Sequence, residues 1–150
     1  MSMENRLLLG RSCRFLCVHD HESGVCALRN VARTEPAPDA GGIMPVLLSP
    51  QGAGVYLGVV WWHALMAGLA AELDMENRLF SAGVRGGDGL PFIHVLDCGI
   101  SAVHAVMALR QGQRAVVLEA QDRQAEAART LYQQAAGVVL AHRPAIISPY

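Results

Sequence analysis

The chain has 150 residues and a mass of 16.1 kDa, the length of one domain with room for a real core. Hydrophobic residues make up 52% of it and charged residues 17%, which excludes a disordered tail, a coiled coil and a collagen-like chain. The 12 basic and 13 acidic residues leave a formal charge of −1, so there is no electrostatic footprint for DNA or RNA. Every basic residue is an arginine. A Walker-type phosphate lysine, a pyridoxal Schiff base and a kinase-type lysine are therefore all excluded.

The first element in chain order reads as a β-hairpin. Residues 14–20 and 25–30 flank His21-Glu22-Ser23-Gly24 in a strand, turn, strand pattern. An isolated hairpin is marginally stable, so residues 1–33 are expected to form an arm or extension docked on the rest. Residues 34–43 collect Pro36, Pro38, Gly41 and Gly42, the composition of a linker. The α/β domain is expected over 44–150.

Beyond the linker, strands and helices alternate. The apolar run 45–49 is stopped by Pro50, Gly52 and Gly54 and predicts a buried strand, followed by a helix over 55–73 and a glycine-rich loop over 81–90. Residues 92–97 predict the next strand, 100–111 a helix ended by Gly112, and 115–119 a third strand. Asp122 caps a helix to about residue 136 that is expected to carry Ala125, Ala128, Leu131, Tyr132 and Ala135 on one face and Asp122, Arg123, Glu126, Arg129 and Gln133 on the other. Residues 138–141 predict a fourth strand, and Arg143-Pro144 opens an extended tail.

Alternation with almost continuous apolar strands implies parallel βαβ units. The expected fold is a small, mostly parallel α/β sheet with helices on both faces, a Rossmann-like or flavodoxin-like fragment with an N-terminal hairpin arm. Four strands leave exposed edges, so a homodimer is expected to cover them. No charged residue occurs from 43 to 71, and 53–71 is long enough to cross a membrane. It is Gly- and Ala-rich and contains His63, however, and the βαβ pattern needs it as a buried crossover helix. One residue of the Trp61-Trp62 pair then faces the core. The opening apolar run is too short for a signal peptide, and a cytoplasmic protein with reduced thiols is expected.

Two constellations could carry chemistry. On a hairpin, Cys17, His19 and His21 share one strand face and Cys26 comes opposite, a candidate zinc set of four soft ligands. The competing reading of these residues is small hydrophobic cysteines and solvated histidines. The second constellation lies where two strands meet their helices. Ser49, Gln51, Gly52 and Gly54 follow one strand, and Asp97, Cys98, Gly99 and Ser101 follow the next. Adjacent turns at the carboxyl edge of a parallel sheet line the crevice where open α/β sheets bind small molecules. A cysteine at a helix start is also a candidate nucleophile, with His94 and His104 as candidate bases. A phosphatase loop would need an arginine where His104 stands, so the plainer reading is a buried structural Cys98 beside Asp97.

The stretch through Gly99-Ile100-Ser101, Ala108-Leu109-Arg110-Gln111-Gly112 and Val117-Leu118-Glu119 resembles the opening βαβ unit of flavin-dependent amine oxidases, and also the start of a methyltransferase. The resemblance implies that Glu119 meets a cofactor ribose and that Gly99 and Ala102 occupy the second and third glycine positions, while Asp97 stands at the first. Across residues 44–149 the chain resembles short bacterial α/β proteins of unassigned function, with Asp97-Cys98-Gly99 before an alanine-rich helix and Arg143-Pro144 in the tail. That resemblance implies a fold and no activity. The sequence is thus read as a small-ligand or protein-binding module without evident catalysis. The alternatives are a nucleotide-dependent enzyme using the 97–101 turn and Glu119, and a zinc-stabilised interaction protein.

Overall fold

The computed structural model describes residues 13–34, 44–75 and 92–145. The glycine-rich stretch 81–90 and the linker core 35–43 lie outside the described residues. Five strands form one sheet, β1 (Cys13–Cys17), β2 (Met44–Leu48), β3 (Ile93–Asp97), β4 (Ala115–Val117) and β5 (Val138–Leu140). Their spatial order follows chain order and every pair is parallel. The small α/β sheet expected from sequence is present, enlarged by one strand.

That extra strand comes from the segment read as a hairpin. The structure has β1 at the sheet edge, paired from Cys13 with Met44 to Cys17 with Leu48, followed by a helix, α1 (His21–Thr34). Helix wins over turn because Asp20-x-x-Ser23 closes a reciprocal cap. The Ser23 N–H donates to Asp20 Oδ1 at 2.7 Å, and the His19 and Asp20 N–H groups donate to Ser23 Oγ, each at 3.1 Å. Val25, Leu28 and Val31 then recur at helical spacing and are buried. Gly24, which suggests a turn, is a packing glycine: a Cβ there would lie 2.6 Å from Leu69 Cδ1 and 3.1 Å from Val18 Cγ1.

The helix expected over 55–73 is divided into a short α2 (Ala53–Tyr56) and a long α3 (Gly58–Met75), with Gly58 at φ +87° at the break. Two further helices follow as anticipated, α4 (Ala102–Arg110) and α5 (Arg123–Gln134), the latter capped by Asp122, whose carboxylate accepts the Ala125 N–H at 2.8 Å.

Strands in chain order, joined by right-handed crossovers, send every helix to the same side of a sheet. The core reflects this. Leu16, Leu47, Leu96 and Val116 pack in one cluster with residues of α1, α3, α4 and α5, Trp62 and Tyr132 being the largest. Strand residues of the opposite parity, Val46, Leu48, Val95, Val117 and Leu140 among them, form a second buried cluster to which no described helix contributes. Among the described residues the helices therefore occupy one face, where two covered faces were expected, and the strand order has no reversal of the kind found in doubly wound sheets. No described helix is long and apolar enough to cross a membrane.

Candidate functional site

The carboxyl ends of β1, β2 and β3 converge on Asp97 and Arg143. Asp97 is fully buried, and a carboxylate removed from water needs a partner. Arg143 Nη1 supplies it, donating to Asp97 Oδ2 at 2.7 Å and to the Ser49 carbonyl at 3.0 Å, while Nη2 lies 3.7 Å from Cys17 Sγ. One guanidinium thus ties the ends of three strands, using the fixed fork geometry that arginine has and lysine lacks. The other Asp97 oxygen accepts the Gly99 N–H at 2.8 Å, and Ser49 Oγ accepts the Asp97 N–H at 2.9 Å.

The turns that flank this lock are brought together as the sequence implied. Gly52, at φ +72°, and Gly99, at φ +57°, lie next to each other, a Cβ on Gly99 falling 3.9 Å from Gly52 Cα. Gly54 allows α2 to rest on the β3 end, since a Cβ there would meet Cys98 Sγ at 2.8 Å and the Asp97 carbonyl at 3.0 Å. Gln51 is exposed at the rim. Cys98 is fully buried beneath α2, and burial first, then the Asp97 charge, pushes its thiol up to about 12. Burial and the neighbouring charge thus both disfavour the thiolate, the form a nucleophile needs.

Ser101 caps α4, its hydroxyl oxygen accepting the His104 N–H at 3.3 Å and lying 2.6 Å from the His104 ring nitrogen. The pair is local to the first turn of one helix. The Glu119 N–H donates to the Gly99 carbonyl at 2.7 Å, so the backbone of this exposed residue lies beside the glycine turn. Arg129 fixes that loop, donating from Nη2 to the carbonyls of Leu118 and Ala120. The carboxyl edge is therefore held at two places by arginines reading backbone carbonyls, and the Gly99 N–H that an anion would seek is already taken by Asp97.

The candidate zinc set is not assembled. Cys17 faces Arg143 at the end of β1, His21 at the start of α1 pairs with Glu72, and Cys26 is exposed further along α1. The expectation depended on a hairpin that would stack these positions, and a helix beginning at His21 spreads them around its axis. Among the described residues no three His, Cys, Asp or Glu side chains gather where they could hold a metal ion.

A second polar cluster lies in the core. The Trp62 indole N–H donates to His94 Nδ1 at 3.0 Å, Gln113 Nε2 donates to the Ala115 carbonyl at 2.7 Å, and Gln113 Oε1 meets His63 Nε2 at 2.9 Å. An indole can only donate, which makes His94 Nδ1 the acceptor in this bond. His94 is thus held in the core by hydrogen bonds and is no partner for Asp97, which lies at odd spacing from it along β3. Trp62 takes the core position expected of one of the tandem tryptophans.

Sequence reasoning missed two features. Arg143 was read only as part of a tail, although a buried Asp97 announces the need for a cation somewhere in the chain. The outer surface of the central helices was also passed over. Val55 and Tyr56 on α2, Leu57 just after it, Val60 at the start of α3, Ile100 in the turn before α4, and Val103 and Met107 on α4 are exposed large apolar side chains. The missing charges between 43 and 71 were the available signal.

The fold and this edge define a small parallel α/β protein with a singly wound sheet. No family model matches the chain, and neither a curated protein nor a solved structure matches it.

Proposed function

We propose that this chain is a protein-binding module without catalysis of its own, and that it binds through the outer face formed by α2, α3 and α4. One observation carries this reading: the exposed large apolar side chains concentrate on those elements, with Ile100 78% and Val60 71% exposed. The carboxyl edge offers less to a ligand. Its buried acid is neutralised by Arg143, its Cys98 thiol is fully buried, and a sheet without a strand-order reversal lacks the diverging loops that open a ligand crevice. A cytoplasmic location belongs to the same proposal, supported by Cys17, Cys26 and Cys98 being free of disulfides.

The test is to place one charge in the face with Val103→Asp, and to follow native mass and the fluorescence of a bound apolar dye. A binding face is either occupied, so that the substitution lowers the mass, or vacant, so that it lowers the dye signal. A folded variant that changes neither defeats the proposal.

One observation favours a second reading. Glu119 is exposed and its backbone N–H bonds the Gly99 carbonyl, which supports a carboxylate near the glycine turn accepting hydroxyl groups of a ribose. Under that reading calorimetry detects nucleotide binding that Glu119→Ala abolishes, and no heat with any nucleotide rejects it.

A further inference from the structure

The helix α3 is apolar on two sides. Trp62, Met66, Leu69 and Ala70 face the sheet and are buried, while Val60, Ala64, Ala67 and Ala71 follow one another at helical spacing on the outer side and are exposed. A helix that is apolar all round is normally covered all round. Its neighbour α4 repeats the pattern, with Ala102, Ala105 and Ala108 buried and Val103 and Met107 exposed.

Resting on the proposed protein-binding role, we infer that the occupant of this face is a second copy of the chain, docked by the same α2, α3 and α4 face about a two-fold axis. Three features select a copy over another protein. α2 and α3 carry no Asp, Glu or Arg before Glu72 and α4 carries only Arg110 at its far end, so the face has little electrostatic pattern with which to recognise a charged partner, whereas an apolar face is complementary to itself. Tyr56, Leu57, Val60, Ile100, Val103 and Met107 are exposed on this side and supply the apolar centre that a standard interface of about 800 Å² per partner needs. The row Ala64, Ala67 and Ala71 is exposed and low in profile, and a helix from the second copy can lie close along it.

The dimer is isologous, with Val60 and Val103 near its centre and Tyr56 and Ile100 towards the carboxyl edge. It covers a helical face and leaves the strand edges out of the contact, which differs from the edge-covering dimer that the sequence suggested.

Sedimentation equilibrium of the full chain tests it. A particle of twice the 16.1 kDa chain mass is expected, and Val60→Asp and Val103→Asp each weaken the dimer by at least about thirtyfold, the effect of one central contact. Gln124→Asp, on the polar outer side of α5, leaves it unchanged. Circular dichroism checks that each variant is folded, which exposed positions permit. A monomer at the highest soluble concentration overturns the dimer. If the dye signal of that monomer falls on Val103→Asp, the face still binds something else, and if it does not, the protein-binding role falls as well. A dimer that both substitutions leave intact overturns the assignment of this face, as does a heavier particle containing a different chain.

Discussion

The helices α5 and α3 pack on the same side of one sheet and differ in what they turn outward. α5 buries Ala125, Ala128 and Tyr132 and exposes Arg123, Glu126, Thr130 and Gln133, Leu131 being its only large apolar residue at the surface. α3 buries Trp62, Met66 and Leu69 and exposes Val60, Ala64, Ala67 and Ala71. Folding onto a sheet needs one apolar stripe, and α5 shows that this chain can supply just one. The second stripe of α3 goes beyond what packing on the sheet requires, and the proposed contact with a second copy rests on it.

If the inner stripe of α3 carries the core, cutting into it is the most damaging change available. Trp62→Ala is expected to cost about 3–5 kcal/mol, because it opens a cavity and leaves His94 without its indole donor. Urea unfolding measures the loss, and a cost below that of an ordinary surface change would show that α3 is held from outside. A smaller effect is expected where a flanking helix meets the central one. Gly24→Ala pushes a methyl group into Leu69 and costs about 1–3 kcal/mol by the same measurement.

The smallest effect concerns the polar fastening of α1, which has no counterpart on α3. The Ser23 backbone N–H, then its hydroxyl, hold the Asp20 carboxyl below its ordinary value of 3.8. A folded value below the unfolded one means that the cap stabilises fully above the ordinary carboxylate range and fades as pH falls through the depressed value. The gap in melting temperature between the parent and Asp20→Ala should therefore shrink on acidification below pH 3.8. A gap that is constant with pH would remove the charged cap from the account.

Local pattern made much of this legible. The strands at 44–48, 93–97, 115–117 and 138–140 are short apolar runs between breakers, and α5 has a cap, a stripe and a stop. α1 was hidden because Gly24 looks like a turn residue until Leu69, 45 positions away, is seen to occupy the space of its missing side chain. The gathering of Ser49, Gly52, Gly54, Asp97 and Gly99 was legible because parallel strands align their ends. The lock that closes the group was not, since Arg143 is 46 residues from Asp97 and 94 from Ser49 and no periodicity relates them. The absence of a strand-order reversal was also hidden, because a βαβ pattern fixes the handedness of each step and not which side of the growing sheet receives the next strand.

Strand order that follows chain order has a consequence for the protein during its synthesis. Each βα unit finds its pairing partner already made, so the sheet can be laid down progressively from the amino end with mostly short loops to close. The exception is the guanidinium that neutralises Asp97. Until Arg143 emerges, a nascent sheet of β1 to β3 must either keep that carboxylate hydrated or bury it uncompensated, and the second choice is severely destabilising. The ion pair thus ties the closing of this corner of the sheet to the synthesis of Arg143, 46 residues after Asp97.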